Sequence, residues 1–552
     1  MFTGSSEVGA TQAGMGREEL TPFDAARQLT LPAVVDAYAE LLPQQVLVAT
    51  DDGDLTAAQF RDRCRDLAAG LRKAGLPKGA PVGILLPNGW KWLVAVQAVA
   101  YAGLIAVPLN TWYKSTELTS AREQTGLQTV ITQPDIRGRD NVELMKEADL
   151  LESDDDRGYL GAVLWDTASL PETLPSASAD ERPDFAVNPD DIAMYVFTSG
   201  SSAAPKVVVL HHEGLLRNGF EMGKRQQLTS DDKLWLGTPL FFGYGCANAM
   251  TVCLTHGATL CVQERFEPLA AARFIEERAC TVYYGLGPIT REIVNSGALN
   301  TFNLSSLRTG AIGLSAEEKR LALEDLGVTH AVSMYGLTEC YGLCVMTEPG
   351  DSFDVILHSQ GRPLPNHKVR CLDVESGTAL SVGDGTALGE IQLHGCTTPG
   401  YLNNDIANAA SFTPDGWFRT GDLGWIDAEG RLHFAGRLKE VVKVNGITIS
   451  PAEVEAYVME HPDVSQAHVF GWPSREHGEE ELCCGVVLKD TAQTKPDDID
   501  GLLRTWLKPR IASYKVPKIF VALTETQVPL TATGKVSKRL IGEQFLGVVS
   551  PD

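Results

Sequence analysis

Over residues 31–130 the sequence alternates two textures: helical-period stretches at 57–74 and 90–102, and short apolar runs at 82–86, 105–109 and 129–132. Runs this short need neighbours on both sides, and helices placed between them impose parallel βαβ units, so a layered α/β domain is expected. An acidic stretch with Ser and Pro, 152–190, reads partly as loop and precedes a second α/β block over 191–336. From 361 to 434 the texture changes to short strands at 368–373, 389–394 and 431–434 between Gly- and Pro-rich turns, which predicts a small β subdomain. A final α/β segment opens near Arg437. In it, Ser450-Pro451-Ala452-Glu453 supplies a cap, a proline at the first helical position and an acidic first turn for a helix over 450–460. A chain of 552 residues exceeds one ordinary core, so at least two domains are expected; neither end reads as a carrier-protein domain.

Composition narrows the function classes. Lys plus Arg is 47 against 71 for Asp plus Glu, a net charge of −24 that repels nucleic acid and anionic membranes, so any basic site must be local. The 11 cysteines are scattered without paired CxxC spacing, which fits a reduced, cytoplasmic setting better than a zinc site or a disulfide scaffold. Residues 1–20 have neither a basic start nor an apolar core, so a flexible tail is expected rather than a signal peptide. The stretch 92–109 is apolar enough to suggest a membrane span, but Gln97, Gly103 and Pro108 interrupt it; a buried helix running into a buried strand is expected instead.

Several segments carry chemistry. Tyr195-Val-Phe-Thr-Ser-Gly-Ser-Ser-Ala-Ala-Pro-Lys206 feeds a strand into a hydroxyl- and glycine-rich loop ending in a cation, the equipment a polyphosphate requires. It is not a Walker A loop, because Pro205 precedes the lysine and Val207 follows it. Gly200-Ser-Ser202-Ala-Ala204 differs from a nucleophile elbow only in its last residue, which keeps a serine hydrolase using Ser202 open; a solvated turn is the plain alternative. Met334-Tyr-Gly-Leu-Thr-Glu339 offers an aromatic ring, a hydroxyl and a carboxylate that could stack on a base, bind a phosphate oxygen and hold Mg²⁺. Asp415-Gly-Trp-Phe-Arg-Thr-Gly-Asp422 sets an acidic acceptor for ribose hydroxyls behind a glycine turn. Gly436-Arg437-Leu-Lys439-Glu-Val-Val-Lys443-Val-Asn-Gly446 is cationic, and Thr531-Ala-Thr-Gly534-Lys535 places a lone lysine near the C-terminus. Singly, a helix cap explains Glu339, a turn Asp422, and a surface charge Lys535.

Together and in this order the segments resemble the acyl-adenylate-forming superfamily: acyl- and aryl-CoA synthetases, peptide-synthetase adenylation domains and beetle luciferases. The chain looks most like a stand-alone acyl-CoA synthetase. The resemblance runs over about 31–546 and includes Val82-Gly-Ile-Leu-Leu-Pro-Asn88 and Gly103-Leu-Ile-Ala-Val-Pro-Leu-Asn110. It implies an α/β fold: a flexible tail (1–30), a large N-terminal domain of two α/β sheet subdomains plus a small β subdomain (31–436), and a small mobile α+β C-terminal domain (437–552). The implied activity is ATP-dependent conversion of a carboxylic acid to an acyl-adenylate with release of pyrophosphate. Acyl transfer to a thiol follows, with coenzyme A as co-substrate, or else a carrier protein is loaded or the adenylate released.

The resemblance also implies residue roles. Thr198, Ser199, Gly200, Ser201, Ser202 and Lys206 would hold the β- and γ-phosphates, Tyr335 would stack on adenine, and Thr338 would contact the α-phosphate. Glu339 would bind Mg²⁺, while Asp422 would take the ribose hydroxyls with Arg437 alongside. Lys535 would bridge the substrate carboxylate and the α-phosphate, Lys439 would sit at the interdomain hinge, and Lys443 would face the site after rotation. The chain departs from the pattern at Ala203 and Val207, where glycine is usual; the added Cβ atoms stiffen the loop and predict weaker ATP affinity. Phe242 stands where histidine is common, and the stretch Thr309-Gly-Ala-Ile-Gly-Leu314 lacks the usual Gly-Gly-Ala-Pro. An acyl pocket of Phe241, Phe242, Tyr244, Ala311 and Ile312 implies an apolar acid, and the absence of an acidic residue there disfavours an amino acid.

Overall fold

The computed structural model describes residues 21–26, 29–150, 162–165, 186–198, 205–313, 315–383, 387–438, 442–444, 447–473, 480–529 and 536–547. Within the expected N-terminal tail, Pro22–Ala25 forms a capped helical turn whose Phe23 is buried and stacks on Phe220 at 5.0 Å. An aromatic side chain with a ready partner is reason enough for the turn to dock.

Among the described residues, two α/β sheets build the large domain. The first runs Gly53–Thr56, Val46–Thr50, Thr259–Val262, Lys233–Leu236, Val282–Tyr284, Thr309–Ile312, His330–Leu337, Gly342–Met346, Arg362–Pro363, with parallel pairing from Val46–Thr50 to His330–Leu337 and antiparallel strands at the margins. The second runs Lys206–His211, Ile192–Thr198, Ile105–Pro108, Pro81–Leu85, Thr129–Thr132, Ala162–Leu164 and is parallel except for its first pair. Helix Ala57–Lys73 starts where Thr56 and Gln59 form a capping box and buries the stripe Phe60, Cys64, Leu67 and Leu71, the spacing of one helical face. Helix Trp90–Tyr101 is buried on nearly every side, which accounts for its unbroken apolar sequence, and it leads into the buried strand Ile105–Pro108. Among the described residues no helix is long and apolar enough to cross a membrane.

A four-stranded antiparallel sheet, His367–Leu372, Gly389–Gly395, Phe418–Ile426, Leu432–Arg437, forms the small β subdomain. Arg437 closes its last strand opposite Asp422, so it is built into the β subdomain rather than into the segment that follows. The C-terminal part contains the hairpin of Val442–Val444 with Ile447–Ile449, the sheet Val464–Pro473, Glu480–Leu488, Ile519–Leu523, and helices Pro451–Met459, Ile499–Leu507 and Lys538–Phe545. Ser450 caps the first of these helices, and Glu453 turns away from the cap to pair with Lys515 at 2.6 Å. A large α/β domain is thus followed by a small α+β one with its own apolar core. All 11 cysteines are free thiols.

Candidate active site

Parallel strands deliver their C-terminal ends to one side of a sheet, where the following loops enclose a crevice. In the nine-stranded sheet three of the parallel strands end at Tyr284, Ile312 and Leu337. Just beyond them, at Leu286, Gly313 and Thr338, opens a cavity of about 790 Å³ that is also lined by Tyr244 and Pro288 and by Asp422, Arg437 and Leu438 at the end of the β subdomain. That volume suits a nucleotide together with a small acid.

Of the site residues expected from sequence, Thr198, Lys206, Tyr244, Tyr335, Thr338, Glu339, Asp422 and Arg437 line this cavity together. Asp422 is 4% exposed and follows Gly421, whose φ of +70° turns the strand into the crevice. The Tyr335 hydroxyl donates to Asp422 Oδ2 at 2.8 Å, and Arg437 Nε stands 3.6 Å from Oδ1. Burial first, and the Asp422 charge second, hold the Tyr335 phenol well above the ordinary tyrosine range, so it remains a donor at any working pH. Thr338 and Glu339 sit on a single 3₁₀ turn, Thr338–Cys340, ended by Tyr341 in the left-handed region at φ +59°. Gly243 passes so close that a Cβ there would stand 2.9 Å from Thr338 Oγ1. Glu339 is 8% exposed and accepts from the Tyr401 hydroxyl at 2.7 Å.

Ser199, Gly200, Ser201, Ser202, Lys439 and Lys535 lie outside the described residues, as does Ala203; Lys443 falls in strand Val442–Val444. Val207 is buried in the strand Lys206–His211 and packs into the apolar core beneath it. Phe241 and Phe242 stack edgewise on Trp112 at 5.7 and 6.2 Å, with Phe242 42% exposed, immediately before the wall residues Gly243 and Tyr244. Ala311 and Ile312 are wholly buried in the strand beneath the cavity; Ala311 contributes its carbonyl, which accepts from the Tyr244 hydroxyl at 2.7 Å, and Ile312 packs into the second apolar core.

Sequence reasoning missed Tyr401, Arg419, Glu390 and Glu318, all on the cavity wall. Arg419 lies inside the segment that led to Asp422, and strand alternation places it opposite the buried Phe418; it pairs with Glu390 at 3.3 Å. Tyr401 had no local signal, because it meets Glu339 across 62 positions of sequence.

The wall cations among the described residues are Lys206, Arg419 and Arg437, and two of them already face carboxylates. A polyphosphate would therefore need further positive charge. Among the described residues no cluster of three His, Cys, Asp or Glu forms a self-contained metal site. A single buried carboxylate such as Glu339 fits a Mg²⁺ ion that shares the remainder of its shell with phosphates and water.

The AMP-binding enzyme family matches residues 27–402, and the C-terminal domain of AMP-binding enzymes matches 453–535. A methyl-dioxo-octahydro-indenyl-propanoyl:CoA ligase of Mycobacterium tuberculosis is 30% identical over 93% of this chain and 98% of its own length. An acyl-CoA ligase of Aspergillus fumigatus is 30% identical over 88% of this chain and 85% of its own. The crystal structure of ATP-bound MatB from Rhodopseudomonas palustris superposes with a TM-score of 0.80 at 24% identity, covering 94% of this chain and 99% of that one, a likeness of fold.

Proposed function

The chain belongs to the AMP-binding enzyme family, and from that membership we propose how its cavity divides the work of an AMP-forming acyl-CoA synthetase. The reaction joins a small carboxylic acid to ATP, releases pyrophosphate, and transfers the acyl group to coenzyme A. The observation that carries the assignment is the convergence of Tyr335, Asp422 and Arg437 with Thr338 and Glu339 on one crevice. Tyr335 would lie against adenine, Asp422 would accept the ribose hydroxyls, and Arg437 would offset the charge of Asp422.

Thr338 would receive the α-phosphate, Lys206 and the 198–206 loop the β- and γ-phosphates, and Glu339 a Mg²⁺ ion. A divalent cation supplies charge neutralisation between phosphate oxygens that otherwise repel the incoming carboxylate. Lys535 would bridge that carboxylate and the α-phosphate during the first half-reaction. Lys439 would act as the hinge, and Lys443 would enter when the C-terminal domain turns. The acid is read as apolar from Tyr244, Leu286 and Pro288 on the cavity wall and from Phe241 and Phe242, which precede Tyr244. The Glu318 carboxylate, close to Gly287 and Gly313, is the charged exception on that part of the wall. A separate carrier protein as acceptor is the second reading, and a serine hydrolase at Ser202 would leave Asp422, Glu339 and Arg437 without a task.

Pyrophosphate release measured over a panel of carboxylic acids, with and without coenzyme A, tests this assignment. Acid-dependent release that is strongest for apolar acids, with thioester formed only when coenzyme A is present, is the expected result. Release that never depends on an added acid, or hydrolysis that proceeds without nucleotide, contradicts it.

A further inference from the structure

Tyr401 has no part in the assignments above, yet it touches two of the groups they give to phosphate and metal. Its hydroxyl donates to Glu339 Oε1 at 2.7 Å, and the Lys206 ammonium lies 4.4 Å from the centre of its ring. The residue is 6% exposed and lies on the cavity wall.

The backbone that carries it is clamped to the edge strand Lys206–His211. Leu402 N–H donates to the Val207 carbonyl at 2.9 Å, Val209 N–H to that of Gly400 at 3.2 Å, and the Thr398 hydroxyl to that of Val209 at 2.7 Å. Thr398 N–H donates to the Glu339 carbonyl at 2.6 Å, which ties the same segment to the turn bearing the carboxylate. Asn408 holds Tyr401 itself, accepting from its N–H at 2.7 Å and donating to its carbonyl at 2.9 Å. The ring is thus fixed relative to both the lysine and the glutamate.

Lys206 and Glu339 carry opposite charges and meet the same side chain at different places, the carboxylate at its hydroxyl and the ammonium over its ring. Paired directly they would quench each other, and neither would be available to a ligand. A tyrosine between them satisfies one carboxylate oxygen with a neutral donor, leaves the other for a cation, and offers the ammonium a ring face instead of a counter-ion. We propose that Tyr401 is a positioning residue that holds Glu339 for a divalent cation and Lys206 for the polyphosphate while keeping the two from pairing with each other. The proposal rests on the reading of Glu339 as the metal carboxylate.

The test uses the full chain saturated with a non-hydrolysable ATP analogue, into which Mn²⁺ is titrated while free Mn²⁺ is read by electron paramagnetic resonance. Tyr401→Phe keeps the ring and removes only the hydroxyl. Its Mn²⁺ affinity falls about tenfold, the usual loss for an outer-shell partner, while analogue affinity at saturating metal is unchanged. Tyr401→Leu removes the ring as well, and analogue affinity then falls about threefold to tenfold, as expected for a lost cation–π contact. Glu339→Gln is the reference arm and weakens Mn²⁺ at least as much as Tyr401→Phe. Wild-type Mn²⁺ affinity in Tyr401→Phe beside a loss in Glu339→Gln overturns the role of Tyr401 alone. Wild-type affinity in Glu339→Gln overturns the metal reading, and the proposal with it.

Discussion

Asp422 comes to the cavity with both oxygens already engaged, one by the Tyr335 hydroxyl and one by the Arg437 guanidinium, so its orientation is set before any ligand arrives. Asp422→Asn keeps an acceptor for Tyr335 but gives up the charge that makes hydrogen bonds to sugar hydroxyls strong, worth about 1.5–3 kcal/mol. The KM for ATP should then rise by about one to two orders of magnitude while the KM for the acid changes little, which steady-state kinetics with each substrate varied in turn will check. Away from the cavity, Lys319 is wholly buried and donates to the carbonyls of Leu357 and Ser359 at 3.0 and 3.1 Å. Burial lowers its pKa from 10.5 to about 7, so between those values the unfolded chain binds a proton that the folded one does not. Folding stability should therefore rise as pH increases through that window. Lys319→Met should flatten that rise, whatever its offset, in denaturant unfolding measured from pH 7 to pH 10.

At the scale of elements, local signals translated directly into structure. The Thr56 cap with its Gln59 partner starts a helix at Ala57, and Ser450-Pro451 starts another at Pro451. What sequence could not supply was the facing of side chains that only tertiary contact decides. Ile312 and Tyr244 share an apolar character, yet Ile312 in its strand packs into the core while Tyr244, at the start of the helical turn Tyr244–Ala249, lies on the cavity wall. Tyr401 and Glu390 reach the cavity from strands and loops distant in sequence, with no motif to announce them. The link between domains is a prediction at this scale. Leu438 N–H still bonds the Gly421 carbonyl at 2.8 Å, which anchors the chain to the β subdomain just before Lys439. A hinge at Lys439 requires φ to change there, and proline fixes φ near −65°. Lys439→Pro should accordingly slow thioester formation more than adenylate formation, as read by product assays for each half-reaction. Equal loss in both would remove the hinge from position 439.

At the scale of the whole molecule, one cavity is proposed to serve two reactions. In the proposed division, the large domain would supply nucleotide, metal and acyl contacts. The small domain has a core and sheets of its own, and the proposal has it turn as a unit to exchange one set of side chains for another. The first reaction brings a carboxylate against a phosphate, and the cation proposed to offset the developing charge, Lys535, belongs to the small domain. The most direct measurement is therefore Lys535→Ala assayed in both directions of the division: adenylation from ATP and acid, and thioester formation from a preformed acyl-adenylate. Adenylation is predicted to fall about 10²–10³-fold, the loss typical of a donor acting at transition-state charge, while thioester formation from the adenylate largely survives and ATP affinity hardly moves. Adenylation at the wild-type rate would contradict the account, because it would leave the small domain no part in the first reaction.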